Sequence, residues 1–178
     1  TLVDIVRQGK ALYVGISKYP KAAAEFAYRY LAERDVHSLL YQGRYNIFNR
    51  EPEEEGILRQ AKENGTGFIA FSPLAQGLLT NRYLNGIPDD SRIAKGGFLK
   101  KEALTDEVLK KIKALNELAI RRGQTLAEMA LAWILKDDLV TSVIIGASSV
   151  GQLADNLKAI DNTAFSAEEL KNIYQIVK

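Results

Sequence analysis

Four short apolar runs, each followed by a stretch of helical period, predict an α/β fold built on a parallel sheet. The chain has 178 residues, whereas a whole (β/α)8 TIM-type barrel takes about 250. The pattern therefore predicts about half of such a barrel, as one domain over residues 1–178. No repeat at fixed period, no low-complexity tract and no linker interrupts the alternation.

The elements follow in order. Leu2, Val3, Ile5 and Val6 read as a helix that stops at Gly9. Ala11–Ile16 is the first strand, closed by Ser17. Pro20 suits a first helical turn, and Phe26, Ala27, Tyr30 and Leu31 recur at helical spacing behind it. Ser38–Gln42 is the second strand. Pro52 with Glu53, Glu54 and Glu55 starts one helix that runs to Asn64-Gly65, its acids facing the positive end of the helix dipole. Gly67–Phe71 is the third strand.

A long connection then runs from Ser72 to about Leu104, rich in glycine and lysine. Connections this long tend to be lids or disordered, and the part from Asp89 to Leu104 is expected to move when no ligand is bound. Val108 to Ala119 form the next helix, ended by Gly123. Thr125 with Glu128 is a capping box that opens a helix carrying Met129, Ala130, Trp133 and Ile134 on one face. Thr141–Ile145 is the fourth strand. Ser149 with Gln152, and Ser166 with Glu169, have the spacing of two more capping boxes. A sheet of four strands leaves Ala11–Ile16 and Thr141–Ile145 as open edges. Such edges invite either the other half of a barrel or a second copy of the chain.

Composition removes several function classes. Net charge is +2, too small to point to nucleic acid or an anionic membrane. There is no cysteine, hence no disulfide or thiolate chemistry, and His37 is the only histidine, which excludes a His-rich metal site. No apolar run approaches the roughly 18 residues of a membrane span. No secretory signal opens the chain, so a cytoplasmic setting is expected. The first residue is Thr1, so sequence upstream is expected as well.

In a barrel of this type the functional face lies at the C-terminal ends of the strands. The residues there are Ser17-Lys18, Gln42 with Tyr45-Asn46, Ser72 to Leu79, and Gly146 to Ser149. Four separated blocks, Gly9–Ser17 (GKALYVGIS), Tyr41–Arg50 (YQGRYNIFNR), Gly67–Tyr83 (GFIAFSPLAQGLLTNRY) and Ser142–Leu157 (SVIIGASSVGQLADNL), together resemble the aldo-keto reductase family. They come in that family's order and span nearly the whole chain. The resemblance is nearest to a bacterial branch that is also similar to potassium-channel β subunits. By position the blocks look like barrel strands five to eight with their helices.

The resemblance implies an oxidoreductase that reduces aldehydes or ketones with NAD(P)H. NADP(H) is expected ahead of NAD(H), no metal is expected, and the partner is a small carbonyl compound. The dinucleotide would lie across the strand ends without a G-x-G-x-x-G loop, which this chain indeed lacks. Ser17 and Gln42 would bind the nicotinamide carboxamide and so fix the ring face presented for hydride transfer. Phe71 would stack on the ring, although a core aromatic at a strand end explains it too. Ser72, Leu74, Gln76 and Gly77 would wrap the pyrophosphate; read alone, S-P-L-x-x-G is equally a plain turn. Gly146, Ser148, Ser149, Gln152 and Asn156 match the adenosine segment. Many relatives carry arginine at one of these positions, and here Ser149 and Gln152 serve equally well as helix caps.

The family's catalytic Asp, Tyr, Lys and His tetrad belongs to the first half of the barrel, so no catalytic residue is assigned within this chain. His37 lies at the wrong end of the second strand, and Tyr45 has no matched Lys–Asp pair to tune it. Arg44 and Arg50 follow the second strand and are candidates for an anionic substrate, with surface or helix pairing as the commoner role. The resemblance leaves two other readings: a regulatory nucleotide-binding subunit, and a non-catalytic half-barrel.

Overall fold

The computed structural model describes residues 1–89, 91, 93–94, 96 and 99–178. The described residues form two compact units. One comprises residues 1–45, 49–71 and 137–144, and the other comprises residues 46–48, 72–136 and 145–178.

The first unit carries the sheet. Its strands are β1 (Val14–Ser17), β2 (Ser38–Arg44), β3 (Gly67–Phe71) and β4 (Ser142–Val143), all parallel and in that spatial order. β1 and β4 are thus the edges, as the sequence predicts. Ser17 pairs in register with Gln42, Gln42 with Ile69, and Arg44 with Phe71. The pleat splits these strands into two faces. Val14, Ile16, Tyr41, Gly43, Phe68 and Ala70 are buried, whereas Ser17, Gln42, Arg44, Ile69 and Phe71 alternate with them and are less covered. The buried face is aromatic: Tyr41 stacks on Phe68 with centroids 5.5 Å apart, and Tyr45 meets the edge of Phe68 at 6.3 Å. A Cβ on Gly43 would come within 2.6 Å of the Phe68 ring, so that position has no room for a side chain.

The helices of this unit are α1 (Leu2–Arg7), α2 (Lys21–Ala32), α3 (Glu51–Glu54) and α4 (Ile57–Glu63). Val3 of α1, Val14 of β1, Leu31 of α2 and Val36 form one buried cluster. α4 packs against β3 and α2.

Four boundaries differ from the sequence reading, the first because pairing with Ala70 and Phe71 carries β2 two residues past Gln42, so that Arg44 lies within the strand and not after it. β1 starts at Val14 instead of Ala11, because Val14 already pairs with the first residue of β2 and nothing faces the residues before it. Leu12 and Tyr13 are left 83% and 67% exposed. The fourth strand shrinks to two residues, although the Thr141 and Ile144 amides still donate to Phe68 and Ala70 carbonyls at either end. The single helix expected from Pro52 to Asn64 is two, broken at Gly56, whose φ of 77° no helix can contain.

The second unit is helical: α5 (Asp106–Arg121), α6 (Leu126–Ile134), α7 (Val150–Leu157) and α8 (Ala167–Val177). α5 packs against α6 and α8, and α6 against α7. Both the Thr125–Glu128 and the Ser166–Glu169 capping boxes form completely. The Ser149–Gln152 box forms by half. Ser149 Oγ accepts from the Gln152 amide, but Gln152 Oε1 accepts from the amide and hydroxyl of Ser148 instead of the Ser149 amide. Among the described residues of the long connection, Ala75–Gly77, Asn81–Tyr83 and Lys101–Ala103 are single 3-10 turns. Asp90, Arg92, Lys95, Gly97 and Phe98, on which the lid expectation for Asp89–Leu104 partly falls, lie outside the described residues.

Candidate functional site

In the first unit the parallel register brings three of the expected site residues to one place. Ser17, Gln42 and Phe71 end or nearly end three adjacent strands and share the less covered face of the sheet. The Ser17 hydroxyl donates to the Gln42 carbonyl at 3.0 Å, and the Lys18 amide donates to the same carbonyl at 3.1 Å. A groove of about 280 Å³ runs along this edge, with Ser17 and Gln42 among its lining residues. Lys18 turns back over the platform: its Nζ lies 5.0 Å from the centroid of the Phe71 ring.

Arg44 and Arg50 are treated differently. Arg44 is exposed. Arg50 is held by carboxylates, with Nε 3.1 Å from Glu53 and Nη1 3.8 Å from Glu54. Glu53 also accepts from the hydroxyl of Tyr45 at 2.9 Å, and Tyr45 is fully buried. His37 is exposed and precedes β2.

In the second unit, the segment after β3 is conformationally strained. Ser72, Ala75, Gln76 and Gly77 have φ of 53°, 47°, 59° and 102°. Non-glycine residues pay about 1–2 kcal/mol for such a conformation, and they collect where a fixed backbone shape serves a ligand. Among the described residues, five non-glycine positions have positive φ, and four of them, Lys18, Ser72, Ala75 and Gln76, lie in the segments after β1 or β3. The turn uses many of its own amides. Those of Ala75, Gly77, Leu78 and Leu79 donate to carbonyls of Ser72, Leu74, Ala75 and Leu74. Asn46 holds the turn's start, its Nδ2 donating to the Ser72 carbonyl at 2.9 Å.

Gly146, Ser148, Ser149 and Gln152, also in the second unit, are exposed and gather at the start of α7. Asn156 lies about one turn beyond Gln152 and is buried. Its Nδ2 has no hydrogen-bond partner among the described residues. Among those residues, no group of three or more His, Cys, Asp or Glu side chains could hold a metal ion, and no helix is long and apolar enough to cross a membrane.

The model of the aldo/keto reductase family matches residues 1–178. The chain belongs to that family. This aldo/keto reductase chain is 48% identical over 178 residues to L-glyceraldehyde 3-phosphate reductase of Escherichia coli (strain K12), covering 98% of this chain and 51% of that protein. It is 36% identical over 161 residues to a probable voltage-gated potassium channel subunit beta of Arabidopsis thaliana, covering 88% and 49%. A crystal structure of the thermostable aldo-keto reductase Tm1743, in complex with the inhibitor epalrestat, matches with a TM-score of 0.69 and 26% identity, over 98% of this chain and 52% of that one. The chain thus spans about half the length of the curated relatives it matches. Its parallel strands, connected through helices, follow the strand-then-helix repeat of a (β/α)8 barrel.

Two features of this aldo/keto reductase chain lay beyond the sequence reading. The sequence gives no sign that Lys18 reaches Phe71, because that contact runs from the end of β1 across β2 to the end of β3. Asn46 was visible only as a polar residue after an apolar strand, and its bond to Ser72 depends on folding.

Proposed function

We propose that this chain is the cofactor-holding half of an NAD(P)H-dependent carbonyl reductase. The observation that carries the proposal is the convergence of Ser17, Gln42 and Phe71 on one sheet face at the C-terminal strand ends, in a chain of this family. The bound dinucleotide would supply a hydride. Ser17 and Gln42 would bind its carboxamide, and Phe71 would support the ring.

In the second unit Ser72, Leu74, Gln76 and Gly77 are assigned to the pyrophosphate, and Gly146, Ser148, Ser149, Gln152 and Asn156 to the adenosine. Two observations favour that fit. The left-handed run after β3 is strain of the kind a ligand clamp retains, and the buried amide of Asn156 has a donor still to satisfy. Because several turn amides are already engaged, the side chains of Ser72 and Gln76 are the better phosphate contacts. NADP(H) is placed ahead of NAD(H) on the hydroxyls of Ser148 and Ser149 beside the N-terminus of α7.

The Asp, Tyr, Lys and His tetrad is placed outside residues 1–178. Tyr45 is buried on Glu53, and His37 is at the far end of β2, so neither is poised as a proton donor to a carbonyl. The setting proposed is the cytoplasm. The full-length protein should oxidise NADPH when given small aldehydes, followed by loss of absorbance of the reduced ring. No turnover across an aldehyde panel rejects the enzyme. Tight dinucleotide binding without turnover would instead favour a regulatory nucleotide-binding subunit, a reading supported by the similarity to the Arabidopsis thaliana channel subunit.

A further inference from the structure

We infer that Lys18 makes the Ser17–Gln42–Phe71 platform selective for the reduced, uncharged nicotinamide ring over the oxidised, cationic one. The inference rests on the dinucleotide reading above and adds to it a charge that no expected contact requires.

Lys18 is set by its backbone. Its φ of 58° turns the chain sharply at the end of β1, and its amide shares the Gln42 carbonyl with the Ser17 hydroxyl. The side chain therefore leaves β1 toward the sheet face that carries Gln42 and Phe71. Its ammonium stands 5.0 Å from the Phe71 ring centroid, within cation–π range. No ion pair involving Lys18 occurs among the described residues. The platform thus carries a net positive charge where a nicotinamide ring would stack.

Two energies follow when a ring docks on Phe71. The ammonium must move off the aromatic face, which costs the same for either oxidation state. It then remains beside the ring, and there the two states differ. The reduced ring is neutral and feels no Coulomb penalty. The oxidised ring is a cation, and a like charge a few ångströms away, screened almost as in bulk water, repels it enough to weaken binding roughly fivefold. The cation–π cost cancels in the ratio of the two affinities, so the ratio isolates the charge of Lys18.

The test is made on the full-length protein and its Lys18→Met and Lys18→Arg variants. Dissociation constants for NADPH are read from the fluorescence of the reduced ring, and those for NADP+ from competition against it. The unsubstituted protein should bind NADPH more tightly. Lys18→Met should narrow the ratio about fivefold, chiefly by tightening NADP+, while Lys18→Arg preserves it. Raising ionic strength should narrow the ratio in the parent and leave Lys18→Met unmoved. Both forms binding with an unchanged ratio in Lys18→Met overturns the role of Lys18 and leaves the dinucleotide reading standing. Binding of neither form, by the parent or by Lys18→Met, overturns both.

Discussion

Tyr28 shows at the scale of one residue how burial becomes a pH dependence. It sits on α2, 5% exposed, and burial first, then the neighbouring Tyr41, push its phenol from 10.0 up to about 12, against a smaller opposing effect of Thr66. The folded state therefore holds the proton more tightly than the unfolded chain. Stability from this source is complete below pH 10 and is lost as pH rises toward about 12. Tyr41 shifts in the same direction, through burial first and then the carboxylates of Glu51 and Glu55. Tyr28→Phe cannot ionise. Its thermal midpoint should fall less steeply than the parent's between pH 10 and 12, while the two run parallel near pH 7. Equal slopes in the alkaline range would show that Tyr28 does not govern this limb. None of this is legible in the sequence, where Tyr28 falls between Phe26, Ala27, Tyr30 and Leu31, the positions that recur at helical spacing.

Elements whose ends are written in local chemistry were legible, and those that depend on a partner strand were not. Thr125 with Glu128, and Ser166 with Glu169, form the capping boxes their spacing announces, since each needs only residues three apart. Gly67–Phe71 is a strand over its whole expected length because neighbours pair on both sides. The first and fourth runs are edges, and their length is set by how much of the next strand faces them. The same contrast holds in the second unit for Arg122, which sequence reading passed over. Its side chain is 4% exposed, and its guanidinium meets Glu169 at 2.6 Å, the Ala164 carbonyl at 2.9 Å and the face of Phe165 at 3.7 Å. It ties the turn between α5 and α6 to the start of α8. Burial works against the charge on Glu169, but the Ser166 amide and Arg122 outweigh it and hold the carboxyl below its usual range. That contribution is present above the ordinary carboxylate value and is lost as pH falls through the lowered one. Arg122→Met keeps the stem but removes one partner of a carboxylate that stays partly exposed and still accepts from the Ser166 amide, so it should cost about 1.5 kcal/mol in urea unfolding at pH 7. The deficit should shrink in acid, where Glu169 is protonated. A loss of well under 1 kcal/mol at pH 7 would mean the clamp is ornamental to folding.

The whole molecule is governed by two unpaired sheet edges. Four strands in sequential order cannot close on themselves, so β1 and β4 each present backbone groups with no strand beyond them among the described residues. Around β1 the problem is apolar as well. Leu12, Tyr13 and Leu39 are 83%, 67% and 50% exposed, and Leu39 and Tyr13 line the groove along that edge. Natural sheets blunt an exposed edge with charge, proline or a bulge. Here a register irregularity between Val14 and Gly15 is the one such device along the paired length of β1, and no lysine or proline lies within Val14–Ser17. The candidate site residues named from the sequence, Ser17, Gln42 and Phe71, lie on this same sheet, so whatever completes the edge also lies beside the proposed platform. Residues 1–178 expressed alone should therefore self-associate, eluting above the 19.8 kDa expected of a monomer, with an apparent size that grows with concentration. Placing charge on the edge with Tyr13→Lys and Leu39→Lys together should return the chain toward the monomer, since lysine is costly to bury against another strand. The far-UV circular dichroism should be unchanged, because neither side chain is in the core. A parent chain that remains monomeric at high concentration, with its apolar edge open to water, would show that β1 needs no covering strand.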